Sequence, residues 1–459
     1  MTHSNLMRLS EILHAKESIK LHAQEILDIR IALDEVLTDE EKVKISYQIK
    51  DRVQMEAKEA FVANGGWGSV YMATGSGKSK IGVDLAVYDY NVCKGVRPSK
   101  VLIVVPTEKL RDENWKEEFE KWEAGEVWNT VERTCYASLN KYEGQHFTYV
   151  VLDEGHNATD NNVVKFFAQN TVDHCMVQTA TKPRGVYKER IFSDLKFSCV
   201  YELTLDEAVM LGIVAPYDIT IVTMYLDSVD KYIEVGSATN RFFQTEKSRY
   251  EYLSRSAFSR PTKMGFIQRM RFIYDLRSKT KAAKLILEHI IPKELRTLIF
   301  CGGKKQAVEL CDRTYFSKPS LPKKLPNNPS AAKLDKFVKD TIEYEQMMKV
   351  YEGDAAFDDF KSGIIDRMAC VDALNEGHNL NDIDVAFVVQ LNRNAKNLIQ
   401  RIGRAIRYKP GHRGKIIILC VEDSMDKEWV KSATAGFSVA NITTVELSRL
   451  RLGLDTISF

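Results

Sequence analysis

Charge of one sign is what this chain lacks most plainly. Net charge is only +2 over 459 residues, so no global field draws it to a polyanion, and any basic surface must be local. Long apolar runs are absent too. "KIIILCV" at 415–421 is among the longest, far short of the ~20 residues that span a bilayer. The N-terminal stretch "MTHSNLMRLSEILHAKESIK" is broken by charge and has no signal-peptide core. The eight cysteines (Cys93, Cys135, Cys175, Cys199, Cys301, Cys311, Cys370, Cys420) are dispersed, with no C-x-x-C pair. They read as small buried hydrophobes in a reducing compartment, not as disulfides or zinc ligands. No low-complexity tract or solenoid repeat occurs. What is present is an ordinary globular composition, 44% hydrophobic and 28% charged. The length implies two or three domains. The expectation is a cytoplasmic, multidomain protein.

Residues 8–62 contain neither glycine nor proline and are rich in Glu, Lys, Leu, Ile and Ala at helical spacing, which predicts two or three helices. "GGWG" at 65–68 ends them. An alternation of apolar runs and amphipathic helices follows: "SVYMAT", "KVLIVVPT" (100–107), "TYVVLDE" (148–154) and "HCMVQTAT" (174–181). It restarts at "RTLIFCGG" (296–303) and continues through "MACVDA", "VAFVVQL" and "KIIILCV". Strands apolar on both faces, alternating with helices, imply parallel sheets covered on both sides. Between the two series, 246–284 holds eleven Lys or Arg against three Asp or Glu, interleaved with aromatics. The expected architecture is α/β: a helical N-terminal segment at 1–44, a first parallel-sheet domain at 45–222, a basic, largely helical connector at 223–283, and a second parallel-sheet domain at 284–459. The Pro-rich "SKPSLPKKLPNNPSAAK" at 317–333 reads as a surface insertion.

"MATGSGKSK" (72–80) follows an apolar strand and opens a helix, the context a phosphate loop requires. Thr74, Gly75, Ser76 and Gly77 form the loop, whose backbone N–H groups can converge on phosphate oxygens at the positive end of the helix. Lys78 would reach the β- and γ-phosphates and Ser79 would ligate Mg²⁺. The strict pattern has glycine where this chain has Met72; the alternative is a plain glycine turn. A second strand, "YVVLDEGH" (149–156), ends in Asp153 and Glu154. Asp153 can hold the metal and Glu154 can polarise the attacking water, although adjacent acids at a strand end also cap helices. In "QRIGRAIRYK" (400–409) Arg404 and Arg407 share a helical face. Their repulsion calls for a negative partner, and the charge that builds on a transferring γ-phosphate is one. The alternative is a solvated basic helix.

In series these stretches resemble superfamily 2 helicases and translocases over about residues 48–425. The nearest likeness is to the DEAD/DEAH-like branch with type I and III restriction translocase subunits and phage branch-migration helicases. "MATGSGKS", Met72 included, is similar to motif I, "VVPTEKL" to motif Ia, "TCYASL" to the nucleic-acid-contact motif after it, "LDEGH" to motif II, "TAT" (179–181) to motif III, "TLIFCGG" to motif IV, "VDALNEGHNL" to motif V and "QRIGRAIR" to motif VI. The resemblance implies two tandem RecA-like domains hydrolysing ATP with Mg²⁺ in an inter-domain cleft. Lys78, Ser79, Asp153 and Glu154 keep the roles given above. It adds His156 and Gln400 linking nucleotide to cleft, Thr179 and Thr181 coupling hydrolysis to movement, Arg404 and Arg407 as arginine fingers, and Gly377 at the nucleotide. Pro106, Thr107, Ser138 and Gly302 fall in motifs that contact the nucleic-acid backbone. Gln54 either reads the adenine edge or is a helix-surface glutamine. Three departures stand out. Gly155 replaces the usual Ala or Cys of motif II, and in motif V His378-Asn379 stands where Val-Asp is common and Val371 where Thr often sits.

The implied partner is nucleic acid, with DNA favoured by this branch of the superfamily and RNA the alternative. Arg255, Arg260, Arg269 and Arg271 of the connector are the candidate phosphate contacts. The interleaved aromatics either stack bases or pack into the core. An ATP-gated nucleic-acid clamp that does not move is the remaining alternative.

Overall fold

The computed structural model describes residues 2–180, 182–237, 240–322, 324–326, 329–371, 383–391 and 408–459. Two compact units divide between Pro216 and Tyr217. Among the described residues no helix is long and apolar enough to cross a membrane.

Three N-terminal helices, Thr2–His14, Ala23–Leu33 and Asp39–Ala63, open the first unit. The third begins at a reciprocal cap. Thr38 Oγ1 accepts the Glu41 N–H at 3.3 Å and Glu41 accepts the Thr38 N–H at 2.8 Å, a device worth about 1 kcal/mol. Asp39, Glu40 and Glu41 in its first turn complement the helix dipole. The apolar faces of these helices, through Leu9, Ile12, Ile26, Ile29, Leu33, Ile49, Val53 and Phe61, lie in one core with Val70, Met72, Ile103 and Val105 of the sheet. The segment 1–44 is therefore part of the first unit's core and not a body of its own. A helical period shows that a face must be buried, but not against which element.

The first sheet has six parallel strands: β1 Trp67–Met72, β2 Val101–Val105, β3 Glu132–Cys135, β4 His146–Asp153, β5 Thr171–Thr179 and β6 Cys199–Leu203, in the order β3-β2-β4-β5-β1-β6. Every residue of β2 is buried, as expected of a strand covered on both faces. Because the strands are parallel, Met72, Val105, Asp153 and Thr179 end on the same edge. That edge is where open α/β sheets bind ligands.

The second unit has a seven-stranded parallel sheet. It is built from β7 Tyr217–Met224, β10 Thr297–Phe300, β11 Thr314–Phe316, β12 Arg367–Val371, β13 Val385–Val388, β14 Gly414–Val421 and β15 Ile442–Glu446, in the order β11-β12-β10-β13-β14-β7-β15. Most of strand β7 falls inside the expected first domain, 45–222, yet it pairs with β14 from Tyr217↔Gly414 to Met224↔Val421. The second unit thus begins at Tyr217, because strand pairing across nearly 200 residues of sequence decides the matter. The connector carries an antiparallel hairpin, β8 Ile233–Ser237 and β9 Asn240–Gln244, before the helices Glu246–Ser259 and Lys263–Tyr274. A third helix, Arg277–His289, crosses the expected boundary at 283. Its Lys279 is fully buried against Asp426, which is also fully buried, and donates to Gln390 at 2.8 Å. That basic residue belongs to the core of the second unit and not to any surface.

Candidate active site

The phosphate loop lies between β1 and the helix Lys78–Cys93. Gly75 and Gly77 have φ of 90° and 83°, the left-handed region that glycine occupies without penalty. A Cβ on Gly77 would also come within 2.3 Å of the Gln54 amide nitrogen. Ser76 is buried and its hydroxyl donates to the Ala73 carbonyl at 2.7 Å. Lys78 Nζ donates to the Met72 carbonyl at 3.2 Å. The Met72 side chain points the other way, into the core shared with the N-terminal helices. Residue 72 meets the loop through its backbone, so methionine there costs the phosphate site nothing.

A brace from the helix Asp39–Ala63 holds the loop. Gln54 Nε2 donates to the Ser76 carbonyl at 2.9 Å and to that of Gly77 at 3.4 Å, and Lys50 Nζ donates to the Gly75 carbonyl at 2.8 Å. Gln54 is buried and its Oε1 has no hydrogen-bond partner among the described residues. It is not a helix-surface glutamine. Lys50 was not among the expected site residues; its position one turn before Gln54, on the same face, was the available signal.

At the end of β4, Asp153 is buried. Its Oδ2 accepts the Trp115 indole N–H at 3.0 Å, and its Oδ1 accepts the Gln178 amide at 3.0 Å and the Glu154 N–H at 2.9 Å. Burial, together with the charge of Glu154, pushes Asp153 up to about 6, against the pull of those donors and of Lys78. Glu154 takes φ 48° and ψ 54°, a conformation that costs a non-glycine residue about 1–3 kcal/mol and collects at functional sites. Its carboxylate accepts from the Thr179 hydroxyl at 3.3 Å and lies 3.3 Å from His156 Nδ1, which is 3.2 Å from Thr179 Oγ1. Burial works to raise Glu154, yet the His156 hydrogen bond and the Lys78 charge outweigh it and hold the acid below its usual value. Two adjacent carboxyls pushed in opposite directions are the arrangement from which separate roles arise.

Gly155 is explained by its neighbour. A Cβ there would lie 2.1 Å from Val177 Cγ1, so the space that Ala or Cys would need in this motif is filled by a valine of β5. Gly155→Ala is expected to lower stability by about 1–3 kcal/mol through overpacking and to lower any turnover by shifting Glu154. Gly155→Ala combined with Val177→Ala should recover most of both. Denaturation midpoints and steady-state rates check this; a single variant as stable and active as wild type would contradict it.

Hard oxygen donors at Asp153 and Ser79 beside a glycine-lined cradle fit Mg²⁺, which takes one or two carboxylates and completes its shell with phosphate and water. The structure brings Gln54, Thr74 to Ser79, Asp153, Glu154, His156 and Thr179 to one edge of the first sheet. Thr181, Gly377, Gln400, Arg404 and Arg407 lie outside the described residues.

Residues 44–184 match the family model described as type III restriction enzyme, res subunit, and residues 281–409 match the helicase conserved C-terminal domain. The chain belongs to the superfamily 2 helicases. No curated protein matches its sequence significantly. Among solved structures, this helicase resembles the ATP-dependent type ISP restriction-modification enzyme LlaBIII bound to DNA, at 13% identity and a TM-score of 0.50, over 86% of this chain and 31% of that one. It also resembles a fragment of a putative HsdR subunit of a type I restriction enzyme from Vibrio vulnificus, at 13% identity and a TM-score of 0.52, over 90% of this chain and 70% of that one. S. cerevisiae Dbp5 bound to RNA and ADP BeF3 aligns with a TM-score of 0.49 at 13% identity, over 92% of this chain and 97% of that one. The two restriction-enzyme likenesses establish the fold, two RecA-like parallel-sheet units. The helicase spans under a third of the type ISP enzyme.

Of the residues expected at nucleic acid, Pro106 and Thr107 follow β2, and the Thr107 hydroxyl accepts the Leu110 N–H at 3.4 Å. Ser138 is exposed on the short helix Tyr136–Lys141, whose Tyr136 hydroxyl donates to the Asp153 carbonyl at 2.9 Å. Gly302 sits tightly in the second unit: a Cβ there would come within 2.9 Å of the Gln390 side chain. Arg255, Arg260 and Arg271 are exposed. Arg269 is engaged instead, since its guanidinium donates to the Tyr250 hydroxyl at 2.7 and 3.1 Å and lies over the Tyr250 and Phe258 rings. It pins the two connector helices together. The aromatics divide the same way: Tyr250 is buried, whereas Tyr252, Phe258 and Phe266 are exposed.

Proposed function

We propose that this helicase couples ATP hydrolysis to movement on, or remodelling of, duplex or branched DNA. The observation that carries the reading is the convergence of Lys78, Asp153, Glu154, His156 and Thr179 on one edge of the first sheet. In this reading Thr74 to Ser79 cradle the triphosphate, with Gln54 and Gly377 at the nucleoside. Asp153 and Ser79 hold Mg²⁺, which when bound offsets phosphate charge. Glu154, kept ionised by its neighbours, accepts a proton from the attacking water. Arg404 and Arg407 would meet the charge that develops on the transferring phosphoryl group, together with Gln400. Thr179, Thr181 and His156 relay the state of the γ-phosphate, since Thr179 and His156 already touch the general base.

The track is read as a phosphate-contacting surface that includes Pro106, Thr107, Ser138, Gly302, Arg255, Arg260 and Arg271, with exposed Tyr252, Phe258 and Phe266 available for base stacking, worth about 1–3 kcal/mol per base. DNA is preferred over RNA because the motifs resemble the restriction and branch-migration branch, and the type ISP neighbour is itself bound to DNA. The place of action is the cytoplasm, that of the host if the chain is viral.

Steady-state ATP hydrolysis with single-stranded, duplex and forked DNA and matched RNA, at two salt concentrations, tests this. DNA should raise the rate above the polymer-free rate and above that with RNA, and the half-saturating DNA concentration should rise steeply with salt. Stimulation by RNA alone would move the reading to an RNA remodeller. Indifference to every polymer would reject it.

A further inference from the structure

The carboxylate assigned to the metal is held from two sides by residues that no motif accounts for. Trp115 opens the helix Trp115–Lys121, and Gln178 lies on β5 directly opposite Asp153 in the strand register. The indole N–H reaches Oδ2 and the amide reaches Oδ1, each at 3.0 Å, so each carboxylate oxygen has its own side-chain donor. Both donors are buried, Trp115 at 2% and Gln178 at 1% exposure. The indole also rests on Gly82, where a Cβ would come within 2.8 Å of the ring. Gly82 is on the helix that begins at Lys78 and Ser79. One side chain therefore contacts the helix carrying the candidate metal hydroxyl and the strand carrying the candidate metal carboxylate. Gln178 Oε1 is buried with no hydrogen-bond partner among the described residues, an arrangement that costs about 1–3 kcal/mol in folding. An apolar residue would fill that strand position without this cost, so the amide's place is explained by what its Nε2 does for Asp153.

We propose that Trp115 and Gln178 are positioning residues. They fix the rotation of the Asp153 carboxylate so that its free lone pairs face a divalent cation beside Ser79. The inference rests on the reading of Asp153 as a metal ligand. Partners that orient a ligating carboxylate typically change metal affinity by about 10–100-fold when removed.

Trp115→Phe deletes the N–H together with the outer part of the ring that touches Gly82, a packing loss that the thermal midpoint reports. Gln178→Leu keeps the volume and deletes the amide. The probe is Mn²⁺, titrated by electron paramagnetic resonance into the full chain saturated with ADP, beside binding of a fluorescent ADP analogue in EDTA and the thermal midpoint. Each variant should bind Mn²⁺ about 10–100-fold more weakly, with metal-free nucleotide affinity unchanged within twofold. Unchanged Mn²⁺ affinity in either soluble variant would overturn the proposal for that residue. Equal losses in metal and metal-free nucleotide binding would overturn it too, as signs of a merely structural role. Asp153→Asn separates the two levels. If that variant binds Mn²⁺ as wild type does, the metal site itself has been misassigned; if it loses Mn²⁺ while Trp115→Phe and Gln178→Leu do not, only the positioning role fails.

Discussion

Glu154→Gln should lower ATP turnover by about 10²–10⁴-fold, the usual worth of a positioned general base, and leave ATP binding intact. The substitution keeps the side chain's length and its ability to accept from the Thr179 hydroxyl, 3.3 Å away. It removes the site to which water would give its proton. The backbone of Glu154 already sits at φ 48°, so glutamine inherits the same geometry and the same local cost. Binding should survive because the phosphate loop is held by its own contacts, from Lys50 and Gln54 to three loop carbonyls. Steady-state hydrolysis and equilibrium binding of a fluorescent ATP analogue measure the two quantities. A loss of turnover smaller than about tenfold, below the range for such a base, would mean that another group takes the proton.

Replacing Arg404 or Arg407 by alanine should cost more, about 10³–10⁵-fold in kcat, the range measured for arginine fingers in phosphoryl transfer. The effect is electrostatic. The first unit contributes Lys78 as a cation but also the carboxylates of Asp153 and Glu154, so charge accumulating on the departing phosphoryl group needs compensation from elsewhere. Two arginines three residues apart in the sequence, otherwise repelling each other, would supply it. Because the effect belongs to the transition state, kcat should fall while ATP affinity changes little. Lysine should not rescue either position, since it lacks the planar fork that meets two phosphate oxygens at once. If both alanine variants hydrolysed ATP at wild-type rates, these arginines would be surface charge.

What could be read from the sequence was whatever is local. The phosphate loop, the Asp153–Glu154 strand end and the apolar strands of both sheets are contiguous stretches whose meaning depends on a few neighbours, and all appear where the pattern predicts. The misplacements are all long-range. Strand Tyr217–Met224 looked like the end of one domain and is an interior strand of the other sheet. The helical segment 1–44 was set apart from the first domain, yet its apolar residues from Leu9 to Leu33 lie in that unit's core. Arg269 looked like part of a basic track and is bonded to Tyr250, while Lys279, one of the eleven basic residues of 246–284, is buried against Asp426.

Side chains that act on the site from a distance were hidden for the same reason. Trp115 reaches Asp153 across 38 residues of sequence and Gln178 across 25. The one local hint was a glutamine inside the otherwise apolar run "CMVQT", since buried strands rarely carry an amide without a use for it. The departure of Met72 from the strict phosphate-loop pattern and that of Gly155 from the family's motif II have the same kind of resolution. Met72 turns its side chain into a core built by the N-terminal helices, and Gly155 yields its space to Val177.

That hydrolysis moves this helicase along DNA is tested most directly by triplex displacement. A third strand bound to duplex DNA, some distance from where the protein loads, is released only by a protein that travels. The account predicts release that requires ATP, disappears in Glu154→Gln, and is delayed in proportion to the distance between loading site and triplex. DNA-stimulated ATP turnover with no triplex release at any distance would contradict it, and would identify an ATP-gated clamp in place of a motor.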